Sequence, residues 1–157
     1  ESKMVRELAS DEDAYRSITL SWFRHSPMRE LFNALSKTNA KIVITTDHGS
    51  IRVNSAVKVV GDKNTNTNLR YKLGKNLSYN KKEVFELKEP KRAMLPSPNL
   101  STSYIFAMGD SFFSYPNNHN YYVGYYKNTF QHGGISMEEM LVPIVTMYSK
   151  MLNNNKK

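Results

Sequence analysis

The chain has 157 residues and carries 22 Lys and Arg against 14 Asp and Glu, a formal net charge of +8. Its 39% hydrophobic and 23% charged residues are typical of one globular domain, or part of one, and exclude a disordered chain. The absence of cysteine excludes disulfides, thiolate nucleophiles and cysteine-bound zinc. No apolar run is long enough to cross a bilayer and no signal peptide is visible, so we expect a cytoplasmic protein without membrane insertion.

The first part of the chain is predicted to be helical. Asp11 is a suitable N-cap for a first helix, in which apolar residues recur at helical spacing. Ser26 and Pro27 are typical of the start of a second helix with an apolar stripe along one face. The β-branched run KIVITT at 41–46 then predicts a buried strand.

The rest of the chain alternates short strands and turns, which indicates a mixed α/β fold. Further strands are predicted at 51–54, 57–60, 83–87, 102–108 and 144–148. The segment 61–80 is polar, basic and without periodicity, so it is predicted to be a long irregular connection. The aromatic stretch 121–126 predicts another strand, with side chains in the core or in cross-strand pairs rather than on a nucleobase platform. Ser136 and Glu139 form a capping-box pattern at the start of a short helix.

Two strand ends carry the residue types that could bind a metal. Asp47 and His48 follow the strand 41–46, and His132 follows the aromatic stretch and precedes two glycines. Side chains at the carboxyl ends of strands often face a common crevice, and carboxylate with imidazole suits zinc or manganese. A hydrogen-bonded histidine with a structural role is the alternative at each position.

The motif TTDHGS, followed later by HGGISMEEMLVP, resembles the C-terminal half of a PglZ domain of the alkaline phosphatase superfamily. Segments such as SWFRHSP and SYIFAMGDSFF extend the resemblance over essentially the whole chain. It is closest to response regulators that carry a PglZ effector domain in bacteria with type IX secretion. The resemblance implies that residues 1–150 form the C-terminal part of an alkaline-phosphatase-like layered fold, with N-terminal helices followed by a mixed sheet. Residues 151–157 are expected to be a disordered tail.

The resemblance also implies a two-zinc phosphoesterase site. Asp47 and His48 match ligands of one zinc ion, and His132 matches a ligand of the other. The family's D-x-x-x-H motif and its Thr or Ser nucleophile have no match in this chain, so no residue here is assigned as catalytic. The chain is therefore expected to be a fragment of a longer enzyme and inactive on its own.

Three basic residues are predicted to bind the phosphate of the substrate: Arg70, Lys72 and Lys75. They lie close together in the segment 61–80, with Tyr71 between them as a residue able to stack on a base. A solvated basic loop without a binding role is the alternative.

The expected substrates are phosphate esters such as oligonucleotides. By resemblance, the partners are a histidine kinase, a sigma factor and components of the secretion system, and a homodimer is left open. Two other functions are carried as alternatives. One is a non-catalytic signalling or interaction module with a structural or vestigial metal site, and the other is a basic nucleic-acid-binding module.

Overall fold

A computed structural model describes residues 9–62, 65–97 and 101–149. The chain divides into two compact units, one formed by Glu1–Asp47 with Val142–Lys157 and the other by His48–Leu141. The predicted tail 151–157 lies outside the described residues. Among the described helices, none has both the length and the hydrophobicity needed to cross a bilayer.

The described elements confirm the mixed α/β class. In chain order they are α1 (Glu12–His25), α2 (Pro27–Leu35), β1 (Lys41–Ile44), β2 (Ile51–Arg52), β3 (Ser55–Val60), β4 (Tyr71–Gly74), β5 (Ser78–Tyr79), β6 (Val84–Leu87), a short 3-10 helix (Pro90–Ala93), β7 (Ser103–Ala107), β8 (Ser111–Ser114), α3 (His119–Tyr126), β9 (Phe130–Gln131), α4 (Met137–Met140) and β10 (Val145–Tyr148).

The first unit contains α1, α2 and the antiparallel pair β1–β10. Both predicted helix starts are confirmed: Asp11 caps α1 by accepting a hydrogen bond from the N–H of Ala14 at 2.8 Å, and Ser26 precedes Pro27 at the start of α2. The prediction of a buried strand at 41–46 is wrong in its burial. β1 belongs to a two-stranded sheet, and its side chains are exposed or half-buried because such a small sheet buries little of either face.

The second unit contains two three-stranded sheets. β3 pairs with β5 in antiparallel fashion and with β8 in parallel, while β7 lies between β4 and β6 in an antiparallel sheet. Buried apolar side chains from both sheets form one core cluster: Val57, Val59, Val84, Ile105, Ala107 and Phe113. Alternate residues of β3 point into this core, as expected for a strand with one covered face.

The short antiparallel pair β2–β9 matters most for the candidate site. Ile51 lies opposite Gln131, and Arg52 lies opposite Phe130. The N–H of Val53 extends the ladder by donating to the carbonyl of Thr129 at 2.9 Å. Because the strands are antiparallel, this register brings the residues before β2 beside the residues after β9.

The segment 61–80 is not the irregular connection that its composition predicts. It contains β4 and β5, and β4 pairs with β7 along its whole length. The strand escaped prediction because Arg70, just before it, and Lys72, within it, are fully buried but charged and do not produce an apolar alternation.

The strand predicted at 121–126 is wrong, since this stretch lies within the helix α3, His119–Tyr126. Tyrosine and valine favour strands in general, but here the tyrosines meet at helical spacing. Tyr121 stacks on Tyr125 with ring centroids 6.2 Å apart. Tyr121 is 66% exposed and Tyr125 55% exposed, so the core placement expected for these two rings is also wrong.

Candidate metal centre

His48 and His132, the two histidines predicted at strand ends, lie against each other in the second unit. Their imidazole rings are stacked with centroids 3.9 Å apart and planes inclined by 9°. The β2–β9 register produces this contact, because His48 precedes β2 and His132 follows β9 directly. His48 is exposed and His132 is half-buried, so the pair lies at the surface of the unit.

The tautomer of His48 follows from its hydrogen bond. Its Nδ1 lies 2.8 Å from the carbonyl oxygen of Gly49, and a carbonyl oxygen can accept but not donate. Nδ1 therefore carries the proton, and in the neutral ring the lone pair is on Nε2. Metal-binding histidines commonly have this arrangement: one ring nitrogen donates to a backbone carbonyl, and the other binds the metal.

Asp47 is the last residue of the segment Glu1–Asp47 of the first unit and the sequence neighbour of His48. Its side chain is exposed, and its Oδ1 lies 3.4 Å from the hydroxyl of Thr46. The predicted role of Asp47 as a metal ligand stays a prediction.

Glu139 is hydrogen-bonded to residues next to both histidines and was not predicted as a site residue. Its carboxylate is fully buried and forms a bidentate ion pair with Arg70, with distances of 2.9 Å from Nε to Oε1 and 2.8 Å from Nη2 to Oε2. It also accepts hydrogen bonds from the N–H of Gly134 at 2.8 Å and of Ser136 at 3.2 Å. The bond from Ser136 is the glutamate arm of the predicted capping box.

Several partners determine the pKa of Glu139. Burial by itself raises it, while hydrogen bonds from Arg70, Gly134 and Ser136 and the charge of Arg70 lower it, and the pKa ends below its usual range. The carboxylate is therefore ionised at neutral pH and compensates the charge of Arg70.

The glycines around the pair leave room for these close contacts. A Cβ at Gly49 would overlap the backbone carbonyl of Glu138, and a Cβ at Gly134 would lie 2.6 Å from Oε2 of Glu139. Gly133 has a φ of +103°, a left-handed conformation that favours glycine and allows the chain to turn directly after His132.

The three residues predicted to bind phosphate are not on one surface. The guanidinium of Arg70 is 0% exposed and, besides Glu139, donates to the carbonyl of Ser111. Lys72 is 1% exposed and donates from Nζ to the carbonyl of Asn66 at 2.9 Å. Lys75 follows β4 and is exposed. Binding of substrate by Arg70 or Lys72 would require each to leave its internal partners, so the contacts favour structural roles for both.

The donor set of the pair fits a divalent metal ion in kind, because imidazole nitrogen is a good ligand for zinc. It falls short in number. Over residues 9–62, 65–97 and 101–149, no group of three His, Asp or Glu side chains is arranged to hold an ion. A stable zinc site generally needs at least three protein ligands, so His48 and His132 by themselves do not complete one.

The fold and the histidine pair define a mixed α/β domain with a candidate metal centre. Residues 1–147 match the family model described as the BREX system PglZ alkaline phosphatase-like domain, and the chain belongs to this family. Membership indicates a phosphoesterase-type function with a phosphate ester as substrate. No curated protein matches the chain in sequence.

Proposed function

We propose that this chain supplies ligands to the metal centre of a zinc-dependent phosphoesterase. The observation that carries the proposal is the contact between His48 and His132, with ring centroids 3.9 Å apart, in a chain of the PglZ family. These are the two histidines of the motifs on which the family resemblance was based.

In this proposal Asp47 and His48 bind one zinc ion, and His132 binds a second. The nearly parallel stacking of the rings supports this division. An imidazole binds a metal in the plane of its ring, so two rings stacked face to face do not direct their lone pairs at the same ion. Bound metal would lower the pKa of a nucleophile and neutralise charge on the phosphoryl group. The nucleophile and the remaining ligands come from outside this chain, which is therefore inactive alone.

The finer assignment is a PorX-like response regulator that acts on phosphate esters such as oligonucleotides and regulates type IX secretion. A histidine kinase, a sigma factor and secretion components are its proposed partners. Among the three predicted phosphate-binding residues, Lys75 is the best placed to contact a substrate, because it is exposed whereas Arg70 and Lys72 are buried. The support for this assignment is the resemblance of SYIFAMGDSFF and HGGISMEEM to that protein.

Zinc binding tests the metal-centre proposal. We expect the chain to bind Zn²⁺ weakly in isothermal titration calorimetry and His48→Ala to lower the affinity at least about tenfold, because the site of Asp47 and His48 loses one of its two ligands. His25→Ala is the matched control, since His25 is an exposed histidine in the first unit, and it should bind like the unchanged chain. Equal zinc affinity in His48→Ala and the unchanged chain would contradict the proposal.

A second candidate function is binding of single-stranded nucleic acid. The exposed tyrosines of α3, stacked at helical spacing, favour it because bases stack on accessible aromatic rings. The net charge of +8 would add attraction to phosphate groups.

A further inference from the structure

Glu139, which forms a buried ion pair with Arg70, makes more hydrogen bonds than helix capping requires. A capping box uses the hydrogen bond from Ser136 to Glu139. The carboxylate of Glu139 also accepts hydrogen bonds from the N–H of Gly134 and from Nε and Nη2 of Arg70. Burying two charges is expensive, and such pairs are weak evidence for stability alone. The contacts of the pair therefore indicate a role beyond capping.

We propose that the Arg70–Glu139 pair is a positioning unit that holds His48 and His132 face to face. Glu139 contacts the segments of both histidines. Its backbone carbonyl accepts a hydrogen bond from the N–H of Gly49, the residue after His48, at 2.8 Å. Its carboxylate accepts the N–H of Gly134, two residues after His132, at 2.8 Å.

Arg70 connects to His132 by a second route. The N–H of Arg70 donates to Oδ1 of Asn68 at 2.7 Å, and Nδ2 of Asn68 donates to the carbonyl of His132 at 3.3 Å. Arg70 is also held by the carbonyl of Ser111 at the start of β8. The pair thereby ties both histidine segments to the sheets of the second unit.

This inference deepens the proposed metal centre and rests on it for its functional meaning. Two ligands from distant parts of the sequence bind one centre well only if their relative position is maintained before binding. The ion pair supplies this preorganisation without itself contacting the metal, so Arg70 and Glu139 are positioning residues.

The test uses Glu139→Gln, which keeps the shape of the side chain and one acceptor but removes the charge. Glu138→Gln is the matched control, because Glu138 is the exposed neighbour on the same helix. Stacked rings give NMR cross-relaxation between their hydrogens and upfield ring-current shifts. We expect Glu139→Gln to lose at least about half of the cross-relaxation between His48 and His132 and to bind Zn²⁺ at least about tenfold more weakly, as expected when a supporting partner is removed. Glu138→Gln should retain both properties.

The methyl resonances of Val57 and Val59, which lie in the core cluster, report whether the fold is kept. If Glu139→Gln does not fold, Arg70→Lys replaces it, because lysine keeps the charge but cannot form the bidentate contact. Unchanged ring contacts and zinc affinity in a folded variant would overturn the positioning proposal and leave the metal centre standing. Loss of the ring contacts in a chain that never binds zinc would support positioning and overturn the metal centre.

Discussion

Lys72 is a charged residue that the fold buries, with 1% of the residue exposed. Its Nζ donates to the carbonyl of Asn66 and lies 4.7 Å from the ring centroid of Tyr115. Burial lowers the pKa of Lys72 from 10.5 to about 8. The residue is therefore close to the point at which it loses its charge, and the stability of the protein should depend on that proton.

The sign of this dependence follows from linkage. Between the pKa of about 8 in the folded protein and 10.5 in the unfolded chain, the unfolded chain binds the additional proton, so stability from this site rises with pH. We expect the melting temperature of the unchanged chain to rise relative to that of Lys72→Met between about pH 7 and about pH 10. Thermal denaturation followed by circular dichroism measures the difference, and a difference independent of pH would show that Lys72 keeps an ordinary pKa.

Glu139 shows what sequence reasoning could and could not reach at the level of single residues. The neighbourhood of His48 and His132 was expected because both follow strands and precede glycine. Glu139 was predicted as a capping residue, and because this role explained its position, its ion pair with Arg70 was not predicted. Arg70 was assigned to phosphate binding because a basic residue in a polar segment gives no sign that its partner lies far away in the sequence.

At the scale of elements, patterns with a local cause were predicted well. The caps of α1 and α2 depend on neighbouring residues, and both helices begin where Asp11 and Ser26 indicate. β4 and α3 depend on tertiary contacts instead. The buried side chain of β4, that of Lys72, is charged, so the strand lacks an apolar pattern. α3 contains tyrosines, which favour strands, and their rings lie largely outside the core.

The cap of α1 gives a prediction for an element. Asp11→Ala removes the acceptor for the N–H of Ala14 and should lower the free energy of unfolding by about 1 kcal/mol. Asp13→Ala is the control, because Asp13 forms an exposed ion pair with Arg16, and such pairs contribute little. Urea denaturation measures both variants. A larger loss in Asp13→Ala than in Asp11→Ala would contradict the capping role.

For the whole molecule, family membership indicates the class of substrate, whereas net charge indicates the general preference for anionic partners. The PglZ family over residues 1–147 indicates a phosphate ester as substrate. The charge of +8 favours polyanions in general, without indicating a site. The two compact units add that the histidine pair belongs wholly to residues of His48–Leu141.

The charge yields a prediction that separates the candidate functions. If the chain binds single-stranded nucleic acid, its affinity for an oligothymidine should fall by a factor of ten or more between about 50 mM and about 200 mM salt, because cations are released from the phosphates. Tyr121→Ala should weaken this binding further, while Tyr104→Phe, a change at a buried ring, should not. Fluorescence anisotropy provides the measurement. Absent or salt-independent binding would remove this candidate.

The antiparallel register of β2 and β9 has a consequence for how the protein folds. It joins chain segments that enclose nearly all of the second unit, so the imidazoles meet only after a long loop has closed. Contacts between residues so distant in sequence form late, once nearer contacts have reduced the entropy of the chain. We therefore expect the stacking of His48 on His132 to form late in folding, and its ring-current shifts in NMR spectra would report when that unit is complete.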